Sequence, residues 1–403
     1  MFKKTLTNAS HLISGTILAQ LIAILSLPLL SRLYKPGDFA IYALVAATST
    51  LLSIFLTLRF EVLLLKAKTS YQAYQLVGVI KSLILISAVF LVGVSTVALL
   101  AFSDYFYVVF MSSTTSVVIA AFNVGQNLFI RNGEVSKLKY ALVSRVTLFT
   151  ALSVILSSMT KEGMVYAFLM SYVVCDLVFF RKAIFGTKAS SFPRLKRALF
   201  KEKKNVLFYT PHSFYGALIL HAPTYILTAF YTASTVGLFN MANRLVSIPM
   251  SVLTGALNKI SFNEFSKEQS DNKKKIFFVI VSLAFAVIYL LFSLLFWLFG
   301  ETIVEVVLGS QWSEVYIYVL VLMPWIAFRT VAGVFAFASI LKQRQGTAFL
   351  FEIVYGCLSM LVLVVYAATN ALPERALLAF SITGAFIVGA QLTWYYALLF
   401  KER

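Results

Sequence analysis

The chain has 403 residues, 60% of them hydrophobic and only 12% charged, with a formal net charge of +18 and two cysteines. That composition excludes an ordinary soluble domain, where about a quarter of residues are charged, and two cysteines exclude a disulfide scaffold. The positive charge sits in short stretches between apolar runs and not on a soluble basic face, so no nucleic-acid partner is expected.

Twelve predominantly apolar spans follow in order, at residues 10–31, 39–65, 79–102, 108–130, 141–159, 164–183, 207–230, 237–262, 276–299, 315–341, 347–369 and 376–400. A span of about 20 such residues crosses the hydrocarbon core as a helix. Inside lipid the backbone must satisfy itself, which leaves helices or a closed barrel, and barrel strands would be about ten residues long and alternating. The first span, after Lys3 and Lys4, is too long for a signal sequence and has no small-residue cleavage site before Arg32, so it reads as a membrane helix. The expected fold class is an all-α polytopic membrane protein of about 12 transmembrane helices.

Outside the spans, nearly all Lys and Arg fall at the ends and in the even-numbered connections. The odd connections hold Arg32, Lys35, Lys161 and Arg375. Short loops rich in Lys and Arg stay cytoplasmic, so both termini are expected there. The longest connection carries Arg181, Lys182, Lys188, Arg194, Lys196, Arg197, Lys201, Lys203 and Lys204. It divides the chain into an N-terminal six-helix bundle (1–183), a basic cytoplasmic linker (184–206) suited to an anionic leaflet surface, and a C-terminal six-helix bundle (207–403).

An internal repeat supports two halves. Leu30-Ser31-Arg32-Leu33-Tyr34 lies over Leu227-Thr228-Ala229-Phe230-Tyr231, and Phe39-Ala40-Ile41-Tyr42 over Val236-Gly237-Leu238-Phe239, both at an offset of 197 residues. Two six-span halves keep one orientation, so the pseudo-repeat is parallel, and transporters of that kind hold substrate between their halves. The stretch Gly300–Glu314 reads as an outer loop along the interface. No Gly-rich phosphate loop with a following Lys-Ser/Thr occurs, so nucleotide hydrolysis by that device is excluded. Cys175 and Cys357 lie in apolar spans as free thiols. No metal site and no cofactor are expected.

Polar groups inside spans carry the functional information, because an ionised side chain at mid-membrane costs about 2.5–3.5 kcal/mol even on the lenient insertion scale. Arg329 lies near the middle of the tenth span and Arg244 about two turns into the eighth. Arg59 lies near the inner end of the second, where a long side chain also reaches the interface. Asn240 shares a face with Arg244 at i−4. Asn123, Gln126 and Asn127 close the fourth span, suited to interhelical bonding or to sugar hydroxyls. The intramembrane acids are Glu61, Asp176 and Glu352. Glu61 is two residues from Arg59, so on one helix the two point apart. Glu352 is within reach of Lys342 or Arg344. Asp176, Glu352 and His221 are the ion-coupling candidates, since a group that changes charge between two states can couple transport to a gradient. His212 and His221 are half a turn out of register and make no metal pair. Pro211, Pro223 and Pro249 mark places where the second half can bend. Three arginines against three acids leave cationic character at mid-depth, suited to a phosphate head through the guanidinium fork.

Leu30 to Leu44, which reads LSRLYKPGDFAIYAL, resembles the first-loop signature of Wzx-type oligosaccharide flippases of the multidrug/oligosaccharidyl-lipid/polysaccharide superfamily. Thr57-Leu58-Arg59-Phe60-Glu61 is similar to that family's end of helix 2. Asn123 to Gly133 with Ser144-Arg145 is similar to its helix 4–5 region, and Val236 to Phe239 with Arg244-Leu245 and Pro249 to its helix 8. The resemblance implies two six-helix bundles working by alternating access in the bacterial cytoplasmic (inner) membrane. It implies a lipid-linked oligosaccharide cargo on undecaprenyl diphosphate, turned from the inner to the outer leaflet for O-antigen or capsular polysaccharide assembly. Membrane lipids, a polysaccharide polymerase and chain-length machinery are the implied partners. The chain is about two helices shorter than fourteen-helix lipid II flippases. The alternatives are an ion-coupled drug exporter of the same superfamily, which would need acids in the bundle, and a membrane glycan polymerase, which would need a large outer catalytic loop that this sequence lacks. The chain reads as a transporter and not as an enzyme.

Overall fold

The computed structural model describes residues 2–101, 103–182, 186–266 and 271–400. The principal helices are α1 (Phe2–Leu33), α2 (Pro36–Thr57), α3 (Ser70–Ala101), α4 (Ser103–Asn132), α5 (Val135–Leu156), α6 (Gly163–Phe179), α7 (Phe192–Lys201), α8 (Thr210–Phe230), α9 (Ala233–Ser266), α10 (Asp271–Leu308), α11 (Val315–Phe335), α12 (Gln345–Ala368) and α13 (Pro373–Phe400). Among the described residues there is no strand. All twelve expected spans fall on helices, and α7 is additional. Among the described residues, ten helices are long and apolar enough to cross a membrane. Of the other two spans, α6 has only 17 residues, and α8 is diluted by Pro211, His212, His221 and Pro223.

The chain forms two compact units. One holds residues 1–34 and 38–221, the other residues 35–37 and 222–403, so the division runs through α8 between His221 and Ala222. The expected junction at 183/184 lies outside the described residues.

In the first unit α5 packs on α1 and α6, and α4 packs on α3 and α6. Phe122, Phe168, Tyr172 and Phe180 form an edge-to-face aromatic cluster, the arrangement that ring quadrupoles favour. The buried Tyr34 hydroxyl donates to the Ser153 carbonyl at 2.6 Å. In the second unit α11 is the hub, packed on α9, α10 and α13. Pro324 sits inside α11. Beside it the Trp325 N–H finds the Ser381 hydroxyl at 3.1 Å, a side chain supplying a partner for backbone that a proline disturbs. Asn258 Nδ2 likewise ties α9 to α11 by donating to the carbonyls of Gly333 and Val334.

The repeat is visible in the elements. The turn between α1 and α2 and the turn between α8 and α9 start and stop at residues 197 apart. In the second unit, residues 35–37 pack against the start of α9, where a Cβ at Gly237 would lie 1.9 Å from the Pro36 carbonyl oxygen. Only glycine fits that approach.

Two expectations are corrected. The second span does not run to 65 as one helix, because α2 ends at Thr57. The stretch Gly300–Glu314 is largely helical and not a loop. α10 continues to Leu308, burying Val304 and Leu308 one turn apart, and Trp312 is fully buried after it. Pro223 and Pro249 lie inside α8 and α9, and Pro211 follows the widened helical turn Asn205–Tyr209, so all three remain places where the helices can bend.

Candidate functional site

Among the described residues, two consecutive non-glycine residues with positive φ follow α2. Leu58 and Arg59 both adopt left-handed angles, with φ of 47° and 59°, which cost a residue bearing a Cβ about 1–2 kcal/mol each. Long-range bonds hold them there. The Leu58 carbonyl accepts from Asn205 Nδ2 at 3.0 Å and from Thr210 Oγ1 at 2.9 Å. The Arg59 N–H donates to Thr57 Oγ1 at 3.3 Å. Asn205 belongs to a widened helical turn, Asn205–Tyr209, that leads into α8.

This break turns the Arg59 side chain back toward Glu61. Nη1 donates to Glu61 Oε1 at 3.3 Å, and Nε donates to Ser213 Oγ at 3.1 Å. The expectation that Arg59 and Glu61 point apart is therefore wrong, because it assumed a helix where the chain makes a left-handed turn. Glu61 is 2% exposed, and its Oε2 has no hydrogen-bond partner. Arg59 is 35% exposed at its side chain. A guanidinium has five N–H donors. Two of them fix this fork, and the rest make no hydrogen bond among the described residues. Arg131 Nε bonds the Ala67 carbonyl at 3.1 Å and joins α4 to the chain beyond the break. Asn123, Gln126 and Asn127 are half-buried on α4, and Asn127 Nδ2 is committed to the Asn123 carbonyl at 2.9 Å.

Asp176 in α6 is 4% exposed, and neither of its carboxylate oxygens has a hydrogen-bond partner. One turn before it, the Tyr172 ring lies under the Arg145 guanidinium of α5 at 4.8 Å. Arg145 is a functional candidate that the count of three arginines against three acids leaves out, although position 145 lies inside the fifth span. Lys81 and Lys259 also lie inside spans, so the intramembrane surplus of cations is larger than that count. Lys81 Nζ donates to the Thr187 carbonyl at 3.0 Å, and Lys259 is exposed.

In the second unit Asn240 Oδ1 accepts from Thr224 Oγ1 at 3.2 Å and Nδ2 donates to the Val236 carbonyl at 2.8 Å, tying α8 to α9. Arg244 is half-buried one turn further on. Arg329 is exposed on α11, with its guanidinium 5.0 Å from the Trp325 ring centroid and the Tyr355 ring stacked parallel to Trp325. His221 is half-buried, and Glu352 is exposed on α12. Among the described residues no group of three or more His, Cys, Asp or Glu gathers as a metal site.

Asn205, Thr210 and Ser213 are absent from the sequence expectation. Their partners are about 150 residues away, at separations of 147, 152 and 154, and no local pattern announces them.

Residues 29–317 match the family described as "Polysaccharide biosynthesis protein". No curated protein matches the chain in sequence. Solved structures share the fold, three of them as follows. A lipid II flippase MurJ in an inward closed conformation matches with TM-score 0.70 at 11% identity, over 96% of this chain and 87% of that one. A mutant of the Vibrio cholerae MATE transporter VcmN matches with TM-score 0.59 at 13% identity, over 100% and 99%. An inward-facing multidrug resistance MATE family transporter of the MOP superfamily matches with TM-score 0.57 at 15% identity, over 96% and 94%. The fold is thus that of an all-α polytopic membrane protein with two helical bundles in parallel repeat.

Proposed function

Because the chain belongs to the polysaccharide biosynthesis protein family, we propose that it is a flippase and not an enzyme. It moves an oligosaccharide repeat unit linked to undecaprenyl diphosphate from the inner to the outer leaflet of the cytoplasmic membrane, by alternating access, for O-antigen or capsular polysaccharide assembly. Both termini are cytoplasmic, and a polysaccharide polymerase with its chain-length machinery takes over the product.

The observation that carries this reading is Arg59. Its guanidinium is fixed by Glu61 and Ser213 while part of the fork stays uncommitted. A pre-positioned planar fork suits a phosphate anion better than a flexible ammonium does. Arg244 and Arg329 supply further cationic groups, and Asn240, Asn123, Gln126 and Asn127 supply amides for sugar hydroxyls. That one protein of this fold is named a lipid II flippase is consistent with a lipid-linked cargo.

The test uses purified protein in vesicles and a fluorescent short-chain polyprenyl diphosphate sugar. Arg59→Ala should lower transbilayer movement about tenfold or more, the loss expected when a charge-assisted hydrogen bond of about 1.5–3 kcal/mol disappears. Arg59→Lys should fall between. A wild-type rate for Arg59→Ala would remove the residue from the cargo site. The second reading is export of a cation, favoured by the buried carboxyl of Asp176. Efflux of a lipophilic cation that is lost in Asp176→Asn, with no movement of the diphosphate lipid, would select it.

A further inference from the structure

The helix α7 and the turn after it carry more than a connection needs. Within α7, Leu195 is buried, with Ala198 and Leu199 against the same core of Phe60, Leu64, Val77 and Ile80. The opposite face presents Arg194, Arg197 and Lys201, with Lys196 beside the aromatic edge, all exposed. Phe192 and Phe200 are 71% and 69% exposed on the edge between those faces, and Leu207, Phe208 and Tyr209 are 65%, 69% and 60% exposed just beyond. None of Arg194, Lys196, Arg197, Lys201, Lys203 and Lys204 is paired with an acid among the described residues. Glu202 is the one acid between Arg181 and Tyr209.

Exposed aromatics next to an unneutralised basic face describe a helix lying in a lipid headgroup region. Water alone would penalise the aromatics, and a deep bilayer position would penalise the cations. We propose that α7 and the turn Asn205–Tyr209 form a binding surface for anionic phospholipid headgroups. Phe192, Phe200, Leu207 and Phe208 enter the acyl boundary, and the lysines and arginines take the phosphates.

The surface is fastened at both ends inside the first unit. Before α7, the Ser190 N–H donates to the Gly78 carbonyl at 3.0 Å and Ser82 Oγ donates to the Ser190 carbonyl at 2.9 Å. After α7, Asn205 and Thr210 hold the Leu58 carbonyl. Headgroups seated on α7 therefore also fix the left-handed turn that carries Arg59. This coupling rests on the reading of Arg59 as a cargo residue, whereas the lipid surface does not.

The test reads immersion directly and needs no transport. A nitroxide is attached at Phe200→Cys in a Cys357→Ser background, Cys175 being buried. The protein is reconstituted in phosphatidylcholine vesicles with or without phosphatidylglycerol, and collisions with oxygen and with a water-soluble nickel chelate are measured. The label should move deeper when phosphatidylglycerol is present. Raised salt should abolish that gain, since surface charges are screened. Neutralising Arg194, Lys196, Arg197 and Lys201 together to Gln should abolish it too, whereas Lys273→Gln, at the start of α10, should leave it intact. Equal depth in both lipids would overturn the anionic-lipid surface. A label that stays with the nickel chelate in both would also overturn it.

Discussion

Arg59 and Arg329 are the same residue in two different electrostatic settings. Arg59 sits at a break in its helix, against a buried carboxylate and a hydroxyl from a segment more than 150 residues away. Arg329 sits on a continuous helix, on the face of Trp325. The first charge is offset by a formal anion that burial makes dependent on it. The second is eased by a ring quadrupole, which leaves its full charge for a ligand. Location in an apolar span thus does not define an arginine's role; what it leaves behind when removed does.

The largest effect should therefore come from Arg59→Ala, which strands the Glu61 carboxylate. Leaving a buried charged group without its partner costs about 1–3 kcal/mol or more, so thermal unfolding in detergent should shift down clearly. Arg59→Ala combined with Glu61→Gln should recover most of that stability and none of the transport. If the double variant transports normally, the pair is a structural fastening and the cargo reading fails at this position.

Arg329→Ala should behave in the opposite way. No acid is stranded, and an exposed-to-desolvated cation–π contact is worth about 0.5–2 kcal/mol, so the protein should stay folded while flipping falls. Arg329→Lys should restore part of the rate, since it keeps the charge and loses the fork. A larger loss of stability in Arg329→Ala than in Arg59→Ala would break the comparison outright.

These two sites also mark what the sequence makes legible. The helices and the matching turns at residues 34–35 and 231–232 can be read from it, because hydropathy and the 197-residue repeat are properties of composition along the chain. The acid at 176 is legible for the same reason, as a charge in an apolar run. The Arg59 seat is not. Leu58 and Arg59 have no local preference for left-handed angles, and they adopt them because Asn205 and Thr210 close on the Leu58 carbonyl from far along the chain. Trp312 eludes the sequence differently, since the acids Glu301 and Glu305 beside it suggest a solvated loop while the alternate apolar face completes α10. Arg145 required only a fuller count of cations within spans.

A smaller effect tests that long-range closure. Asn205→Ala removes one of the two side-chain donors on the Leu58 carbonyl and should cost about 0.5–1.5 kcal/mol, the net worth of a typical hydrogen bond. Thr210→Val should cost about the same. Removing both should cost more than the sum, because the left-handed pair then loses every bond that holds its carbonyl. Strict additivity, measured by thermal unfolding of the four proteins, would mean that something other than this carbonyl holds the turn.

The smallest effect on stability and the most specific effect on function belong to Asp176. Arg59 meets a carboxylate and Arg329 an aromatic ring, whereas Asp176 is 4% exposed with neither oxygen hydrogen-bonded, and the nearby Arg145 is spread over the Tyr172 ring. We propose that a carboxyl so placed is a seat for a proton or a small cation that arrives and leaves with the transport cycle. A ligand shifts a conformational equilibrium only through its differential affinity for the two states, so a seat that can no longer change charge can no longer couple. Asp176→Asn keeps the shape and removes the charge change. Its thermal stability should match or slightly exceed that of the parent. In vesicles it should still exchange labelled diphosphate lipid between leaflets, but the rate should no longer respond to an imposed proton or sodium gradient. If the full response persists, coupling lies elsewhere, with His221 on α8 or Glu352 on α12 as the next residues to neutralise.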